Sequence, residues 1–567
     1  MYRIPTILAA LVFVFSLTAQ SQGQQPFPEW TIFNDGNAGT VKIIGTDGAT
    51  DHEWQFGQGS GHMIYLMPGG NLLRCTSDPS IQPFGTGGVG GRIILRSWDG
   101  TLLWNYLAAG TDENGNDYVQ HHDCEILPNG NIMFIAWERH TQADLIAHGR
   151  DPANAPSEIW SEAIYEIDPQ PGNAANIVWI WRVWDHLIQD FDPSLPNFGS
   201  PADHPEKIDI NYSPDGAIDD WLHFNAIDYN AELDQFIVSS TRFDEFWVIS
   251  KNPADSGDIL YRYGNPEAYG RGTVNDKVLW GQHDVQWIEP GLDGEGRILV
   301  FNNGRDPNNP RDFSSVDEII TPVQPDSSYP IQPGQAFEPS GPVWSHADVS
   351  GNQFFSTIMS SAQRLPNGNT LFNLGRTGEI SEVDANGILV WQGMSQPFTF
   401  RAKRLGIEDS RIEGLLWEDY QPAAFSLRSG FLVSGGLPEL LESDDQRMVV
   451  AQPQGDILID FNSDVTFDDT DQIYFFAESS VLLPAQSRNP VTIEKSVEMF
   501  NYTTGTWDVI QTVEGALIDS TMSVVVDADD YLEPGTGTVE ARLRYRKFGL
   551  ARGMRALIDE VHWKAIK

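Results

Sequence analysis

Residues 121–133 read HHDCEILPNGNIM, an alternating strand followed by a Pro-Asn-Gly turn and a second strand. Alternation of apolar and polar residues on both sides of such a turn is typical of a β-hairpin. Four other stretches repeat the pattern: GHMIYLMPGGNLL (61–73), HFNAIDYNAELDQFIV (223–238), QHDVQWIEPGLDGEGRILV (282–300) and SSAQRLPNGNTLF (360–372). A hairpin that recurs along the chain predicts a repeat architecture.

Each hairpin is followed by a second pair of strands, and the last strand often ends in an apolar-Trp step. Examples are GRIILRSWDGTLLWNY (91–106) and GEISEVDANGILVWQG (378–393). Four-stranded units repeated at about 40 to 50 residues predict a β-propeller. Five complete units start near His62, His122, His223, His283 and Ser360.

A sixth unit can be assembled from both ends of the repeat region. Residues 40–56 read as an outer strand pair, and residues 397–407 can supply inner strands. Joining the two ends in one sheet would remove exposed sheet edges. The sequence therefore predicts an all-β chain with a six-bladed β-propeller over residues 20–415, and seven blades is the alternative count.

The repeat pattern stops after about residue 415. The strands that follow have strong period-2 alternation, as in GTVEARLRYR (537–546), but the Trp-ended units are gone. This change predicts a C-terminal antiparallel β-sandwich-like domain over residues 416–567.

Net charge limits the choice of partners. The 567 residues carry a formal charge of −44 with a pI near 4.4. Such a chain is repelled by nucleic acids and by anionic membranes, so neither is an expected partner.

The N-terminal residues 1–19 have Arg3 ahead of an apolar run and small residues at its end. This pattern predicts a secretory signal peptide and an exported protein, periplasmic or extracellular, without a membrane span.

The two cysteines, Cys75 and Cys124, could pair in an oxidising compartment or stay as buried thiols, and the sequence leaves both open.

Four of the hairpins place a histidine at nearly the same point of the repeat. His62 and His122 lie six residues before Pro68 and Pro128, and His223 and His283 lie seven before Asn230 and Pro290. Equivalent points of a repeat meet only when the repeats surround an axis. The pattern therefore predicts that these side chains, with His121 beside His122, converge at one mouth of a central channel.

Converged histidines have three interpretations. They could bind a metal, although no local spacing such as HExxH is present, and we expect no metal and no cofactor. They could act as nucleophiles or proton carriers, because neutral imidazole does both near neutral pH. Each could also be a structural residue of its strand.

The acidic loops 112–117 and 306–312 fit no EF-hand pattern and are expected to be solvated turns.

Three longer stretches make a more specific pattern. The segment DWLHFNAIDYNAELDQFIVSSTRFDEFWVI (220–249), then GQHDVQWIEPG (281–291), then SSAQRLPNGNTLFNLGRTGEISEVDANGILVWQ (360–392) resemble the bacterial arylsulfate sulfotransferases in content and order. The resemblance covers roughly residues 30–410. It implies a six-bladed propeller that moves a sulfuryl group from an aryl sulfate donor to a phenolic acceptor. It also implies a ping-pong reaction through a sulfated histidine, with no nucleotide sulfate donor.

The resemblance also implies roles for individual residues. His283 of the GQHD motif is the expected nucleophile, and Asn225 and Arg242 are expected to hold the sulfuryl oxygens. His223 or His122 would protonate the leaving phenolate and then deprotonate the incoming phenol. His62 and His121 are predicted from the repeat alignment rather than from the resemblance, and we assign them to substrate binding.

One departure from the family pattern concerns Arg242. The motif here is Ser239-Ser240-Thr241-Arg242, with one extra residue before the arginine. We expect an inserted residue to bulge a strand and to turn the side chains that follow.

Two other functions compete with sulfuryl transfer. The chain could be a non-catalytic propeller that binds a ligand or a protein at the channel mouth. It could also be a quinoprotein-like oxidoreductase, because the Trp-ended units are similar to those of that superfamily. Against the latter, the sequence has no vicinal cysteine pair.

Overall fold

The computed structural model describes residues 30–567, apart from gaps at 37–38, 58–59, 82–83, 86, 215, 217, 253–256, 306–312, 348–353, 408, 442–445, 484–490, 515–519 and 549–552. The predicted signal peptide and the acidic loop 306–312 lie outside the described residues. Within them the chain is nearly all β with mostly antiparallel sheets, which confirms the predicted class.

Two compact units divide the chain, one of residues 30–65 and 73–406, and one of residues 66–72 and 407–567. Strands up to residue 406 are β1 (Trp30–Asn34), β2 (Thr40–Ile44), β3 (Thr50–Gln55), β4 (Ser60–Met67), β5 (Asn71–Ser77), β6 (Gly91–Arg96), β7 (Leu102–Leu107), β8 (Ala109–Thr111), β9 (Asp117–Ile126), β10 (Ile132–Thr141), β11 (Glu158–Gln170), β12 (Ala174–Arg182), β13 (Leu187–Ile188), β14 (Ile208–Asp209), β15 (Phe224–Asn230), β16 (Gln235–Ser240), β17 (Glu245–Ser250), β18 (Ile259–Tyr263), β19 (His283–Trp287), β20 (Ile298–Asn302), β21 (Ser315–Ile319), β22 (Trp344–His346), β23 (Ser361–Arg364), β24 (Thr370–Leu374), β25 (Glu379–Val383), β26 (Leu389–Met394) and β27 (Ala402–Leu405).

Strands after residue 406 are β28 (Trp417–Tyr420), β29 (Ala424–Ser429), β30 (Phe431–Ser434), β31 (Met448–Gln452), β32 (Ile457–Asp464), β33 (Gln472–Leu482), β34 (Thr492–Asn501), β35 (Thr506–Glu514), β36 (Ser520–Asp527), β37 (Thr538–Phe548) and β38 (Met554–Ile566). Helices are few and short in the described part: α1 (Gln142–Ala147), α2 (Ala528–Tyr531), and 3₁₀ turns at Pro68–Gly70, Val183–His186, Pro201–Asp203, Pro266–Tyr269, Val274–Asp276 and Leu437–Leu440. None of the described helices is long and apolar enough to cross a membrane.

The strands of the first unit form a series of antiparallel sheets in chain order. Sheet 1 runs β27-β1-β2-β3, sheet 2 runs β4 to β7, sheet 3 runs β8 to β12, sheet 4 runs β15 to β18, sheet 5 runs β19 to β22, and sheet 6 runs β23 to β26. A separate parallel pair joins β13 and β14. Sheet 1 thus combines strands from both ends of the unit, since Trp30 of β1 pairs with Leu405 of β27.

Side chains of the first strands connect neighbouring sheets. Asp123 of β9 accepts a hydrogen bond from the Ile227 amide of β15 at 3.1 Å. In the same way, Asp228 of β15 accepts from the Trp287 amide of β19 at 2.7 Å, and Asp284 of β19 accepts from the Ala362 amide of β23 at 3.0 Å. These charge-assisted bonds satisfy backbone donors that have no ladder partner at the inner edge. They hold the histidine-bearing strands side by side.

The second unit has two antiparallel sheets. One runs β30-β31-β38-β33-β36, with β28 also paired to β38, and the other runs β29-β32-β37-β34-β35. Alternate residues of both sheets are buried in one shared hydrophobic core, which includes Phe461, Phe475, Val497, Leu543 and Trp563. Burial of this kind is what the period-2 pattern of the sequence predicts.

Backbone irregularities position the histidines. His122 and His223 have left-handed φ angles of 50° and 53°, and the pairing register shifts beside each of them. In the next sheet the left-handed residue is Asp284, with φ 54°, one place after His283. His122 and His223 thus occupy the left-handed position of their sheets, whereas His283 lies one residue before it. This differs from the simple alignment of the sequence motifs, which treats the three histidines as equivalent.

Candidate active site

A cavity of about 740 Å³ opens at the ends of β16 and β19. Its lining includes His223 and three basic side chains, Arg242, Lys277 and Arg305, with Asp244 and Glu267 as the acidic members. The whole chain has 35 Lys and Arg against 79 Asp and Glu. Lys277 pairs with Asp244, and Arg242 pairs with Asp220 at 3.4 Å, so these cations are partly neutralised. A cavity that gathers three basic side chains in so acidic a protein is still suited to an anionic ligand.

His223 lies at the wall of this cavity. Its Nδ1 is 2.5 Å from the carboxylate of Asp220, and Arg242 reaches the same carboxylate oxygen at 3.4 Å. Burial by itself would raise the pKa of Asp220, but His223 and Arg242 outweigh it and hold that pKa below its ordinary value. Asp220 therefore stays ionised and orients the His223 ring.

His122 lies directly behind His223, with ring centroids 4.6 Å apart. It is 4 % exposed. The glycine-rich loop between β5 and β6 covers it, because the His122 amide donates to the carbonyl of Gly88 at 3.0 Å. Gly88 leaves no room for a side chain: a Cβ there would lie 1.9 Å from Cε1 of the His122 ring.

His283 completes a group of three histidines. Phe400 lies between it and His122, with ring centroids 5.9 Å from His283 and 6.0 Å from His122. Nδ1 of His283 lies 2.9 Å from the side-chain oxygen of Asn303 and 3.0 Å from the carbonyl of Gly281. Both partners accept, so Nδ1 carries the proton and Nε2 carries the lone pair. Burial, opposed by the bond to Asn303, lowers the pKa of His283 to about 3.

His121 is placed differently from the other histidines. It is fully buried and stacks on Trp137 at 3.9 Å. Its Nε2 lies 2.8 Å from Glu162, and its Nδ1 lies 2.8 Å from Nδ1 of His122. Both ring nitrogens are therefore engaged within the protein interior, by Glu162 and by His122.

The structure also locates the remaining residues of the family motif. Asn225 is fully buried, and its amide donates to the carbonyl of Gln282 at 2.8 Å and to the hydroxyl of Thr241. It therefore fixes the strand that carries His283. His62 lies in β4, but its side chain lies outside the described residues.

The extra residue before Arg242 does not bulge a strand, which corrects the expectation from the sequence. The register between β16 and β17 is continuous from Gln235 to Ser240. Thr241 and Arg242 instead belong to the turn that joins these strands, where an added residue leaves the β16–β17 ladder intact. From this turn the Arg242 side chain lines the cavity.

Several residues of the site were not found from the sequence. Asp220 stands three positions before His223, a spacing that could have suggested the pair. The glycine run at 87–91 could have suggested a close backbone approach. Glu162, Lys277 and Arg305 come from other segments and had no local signal.

Among the described residues, no group of three or more His, Cys, Asp or Glu is arranged to hold a metal. Cys75 and Cys124 are both buried and unbridged.

We expect Gly88→Ala to displace the His122 ring and to lower activity by about 10²-fold, the effect of a misplacement near 1 Å. Gly88 has φ 99°, so alanine would also strain the backbone. Gly87→Ala is the matched control, because a Cβ at Gly87 meets nothing within 4 Å. Turnover and melting temperature of the two variants check this, and equal turnover would contradict a role for His122.

Comparisons with known proteins complete the description. The sequence profile of the arylsulfotransferase (ASST) family matches residues 107–396. Similar solved structures include a protein of unknown function from Bacteroides caccae (12% identity, TM-score 0.35, covering 66% of this chain and 98% of that one) and virginiamycin B lyase from Staphylococcus aureus (11% identity, TM-score 0.30, covering 70% and 88%). A putative 6-phosphogluconolactonase from Bacteroides fragilis is also similar (13% identity, TM-score 0.32, covering 66% and 97%). No curated protein sequence matches significantly.

Fold and site together define an almost all-β protein with a cavity that is lined by His223 and three basic side chains, and with His122 and His283 buried nearby. The profile spans half of the chain and contains His122, Asn225, Arg242 and His283. The chain belongs to the arylsulfotransferase (ASST) family. This membership supports an arylsulfotransferase-like activity on aryl sulfates and phenols.

Proposed function

We propose that the six sheets of the first unit are the blades of one propeller, spanning residues 20–415 together with its connecting segments. The hydrogen bonds that link β9, β15, β19 and β23 in series support this arrangement. We further propose that residues 416–567 form a β-sandwich accessory domain, supported by the two sheets that share one core. The signal-peptide pattern of residues 1–19 supports export.

We propose that this protein transfers a sulfuryl group from an aryl sulfate to a phenol by a ping-pong mechanism, with His283 as the nucleophile. The observation that carries the proposal is the state of the His283 ring. Asn303 and Gly281 hold the proton on Nδ1, and burial keeps the imidazole neutral. Nε2 then has a free electron pair for attack on sulfur, which divides one difficult transfer into two easier ones.

The cations of the cavity suit the charge of the migrating group. A sulfuryl group in flight carries negative charge on three oxygens, much as a phosphoryl group does. Arg242, Lys277 and Arg305 line the cavity. Fixed cations of this kind stabilise developing charge without reorganisation of water. Arg242 takes the oxygen-binding role expected from the sequence, and Asn225 acts as a positioning residue through Gln282.

His122 and His223 are the proton carriers of the mechanism. The two rings are neighbours, and Phe400 lies between His122 and the nucleophile. One of them protonates the departing phenolate and later removes the proton of the incoming phenol. A propeller that only binds a ligand would have no need of three histidines with partnered ring nitrogens, so the non-catalytic alternative is not favoured.

The proposal is tested with 4-nitrophenyl sulfate as donor, with and without an added phenol, followed by intact-mass measurement. We expect phenol-dependent release of 4-nitrophenol and, without acceptor, one sulfuryl adduct on the protein. Folded protein that neither releases 4-nitrophenol nor gains the adduct would contradict sulfuryl transfer.

The lowered pKa of His283 predicts an unusual pH profile for adduct formation. A free histidine with a pKa near 6.5 is protonated to about 97 % at pH 5 and loses its nucleophile. Because the pKa of His283 is about 3, its neutral form persists at pH 5. We expect the single-turnover rate with 4-nitrophenyl sulfate to change by less than about threefold between pH 7.5 and pH 5. Rapid quenching and mass spectrometry measure it, and a loss of tenfold or more centred near pH 6.5 would contradict the assignment.

A further inference from the structure

Two buried groups behind the cavity have no part in the mechanism above. His121 and Glu162 are both fully buried, and neither lines the cavity. They form a continuous line with His122: Glu162 Oε2 to His121 Nε2 is 2.8 Å, and His121 Nδ1 to His122 Nδ1 is 2.8 Å. The second carboxylate oxygen of Glu162 accepts the Phe224 amide at 2.8 Å, next to His223.

The backbone is shaped to make this line possible. Consecutive residues of a strand point to opposite faces, so the rings of His121 and His122 would ordinarily be kept apart. The left-handed φ of 50° at His122 removes this separation. A non-glycine residue in this conformation is strained and persists where the surroundings demand it. Stacking of His121 on Trp137, at an angle of 6°, fixes the ring at the middle of the line.

The positions of the protons follow from the partners. One of the two facing Nδ1 atoms must donate and the other must accept. When Glu162 is ionised, His121 Nε2 donates to it, His122 Nδ1 donates to His121, and Nε2 of His122 has the lone pair. When Glu162 is protonated, it donates to His121, His121 Nδ1 donates to His122, and Nε2 of His122 carries the proton. The protonated state holds one proton more than the ionised state. The two states therefore interconvert when two protons move along the line and a third leaves or joins at Nε2 of His122.

We infer that Glu162 is the proton store of the site and that His121 relays protons between it and His122. The inference rests on the sulfuryl transfer proposed above. In this scheme His122, rather than His223, exchanges the proton with the phenol. His121 and Glu162 are positioning residues that set which form of His122 is present.

The first half-reaction uses the protonated state of the relay. His283 Nε2 forms a bond to sulfur as the bond from sulfur to the phenol oxygen breaks. The phenolate takes the Nε2 proton of His122, which regains one from His121 Nδ1, and His121 Nε2 takes the proton of Glu162. Neutral phenol leaves, and the negative charge brought by the substrate now lies on Glu162.

The second half-reaction runs the relay in reverse. The incoming phenol gives its proton to His122 Nε2, His122 Nδ1–H passes to His121, and His121 Nε2–H passes to Glu162. The phenol oxygen bonds to sulfur as the bond from sulfur to His283 breaks. The aryl sulfate leaves with its negative charge, and the relay returns to its starting state without a solvent proton.

Burial favours this route over an imidazolium at His121. The His121 ring has no exposed surface, and burial lowers its pKa well below the ordinary value, with His223 adding to the effect and Asp220 opposing it. Burial likewise raises the pKa of Glu162 well above its ordinary value, opposed by the Phe224 amide. The Glu162 carboxyl is neutral while it holds the proton, so this route places no cation in a buried, desolvated site.

The test compares two donors in single-turnover adduct formation. 4-Nitrophenyl sulfate releases a stable phenolate that needs no proton, whereas phenyl sulfate releases a poor leaving group that needs one. We expect Glu162→Gln to slow the phenyl sulfate reaction by about 10²-fold or more and the 4-nitrophenyl sulfate reaction by less than about tenfold. His121→Phe keeps an aromatic ring on Trp137 and should show the same split.

Glu138→Gln is the matched control. Glu138 is also a fully buried glutamate, bound to Tyr165 at 2.5 Å and to Arg182 at 2.9 Å, with no bond to a histidine. We expect no split between the donors in this variant. Equal slowing of both donors in Glu162→Gln, or no slowing, would overturn the relay alone. A wild-type protein that forms no adduct with either donor would overturn the proposed function and the relay with it.

Discussion

His283→Ala should abolish the sulfuryl adduct and lower transfer by at least about 10⁴-fold, because loss of a nucleophile removes the covalent route entirely. Asn303 and Gly281 hold the ring, and nucleophilic attack is its only role in the proposed mechanism. Intact mass after exposure to 4-nitrophenyl sulfate measures the adduct, and acceptor-dependent release of 4-nitrophenol measures turnover. The folded state should survive, with an unfolding free energy lower by about 1–3 kcal/mol because Asn303 loses one partner.

His140→Ala is the control for this substitution. His140 is equally buried at 3 % exposure and stacks on Trp184, away from the cavity lining. Its removal should cost stability but leave the adduct intact. An adduct of unchanged yield in His283→Ala would place the nucleophile elsewhere, with His122 and His223 as the next residues to map by peptide mass.

The largest effect on stability is expected for Arg401→Met. Arg401 lies in a buried cluster: its guanidinium binds Asp284 at 2.6 Å, Asp123 at 3.2 Å and the hydroxyl of Tyr65 at 3.1 Å. Methionine keeps the length of the side chain but removes the guanidinium that binds both carboxylates. Removing one partner of a buried ion pair costs about 3–5 kcal/mol. Chemical denaturation should show at least that loss.

Arg297→Met is the control that shows how much stability is lost when an arginine outside the buried cluster is replaced. Arg297 is 41 % exposed and binds Glu318, which has a second partner in Arg364. A partly exposed pair contributes about 1 kcal/mol or less. Similar losses in the two variants would show that the Arg401 cluster is not a structural centre. Activity should fall with stability only for Arg401, because Asp123 and Asp284 adjoin His122 and His283.

The hairpin repeats made the all-β class predictable, because period-2 alternation and Pro-Asn-Gly turns are local signals. The joining of residues 40–56 with residues 397–407 was also predictable, and β2, β3 and β27 do lie in sheet 1. The strand Trp30–Asn34 that lies between them was missed. Its five residues are all buried and do not alternate, so they carry no period-2 pattern.

Sequence reasoning reached the histidines but not their partners. His122, His223 and His283 meet, as the repeat alignment predicts, through contacts with each other and with Phe400. The roles of His121 and Asn225 could not be predicted, because they depend on Glu162 from β11 and on Gln282 near β19. These side-chain contacts depend on which sheets are neighbours and on single residues with left-handed φ angles. Neither feature produces a recognisable spacing of residues in the sequence.

The pairing of β1 with β27 has a consequence for biosynthesis. One edge of β1 finds its partner only when residues 402–405 have left the ribosome. At about 5–20 residues per second, this delay is roughly 20–75 s. Throughout that time the nascent chain presents an open strand edge to every other chain nearby, which is a template for misassembly. Conditions that protect this edge until residues 402–405 are available should therefore favour correct folding of the protein.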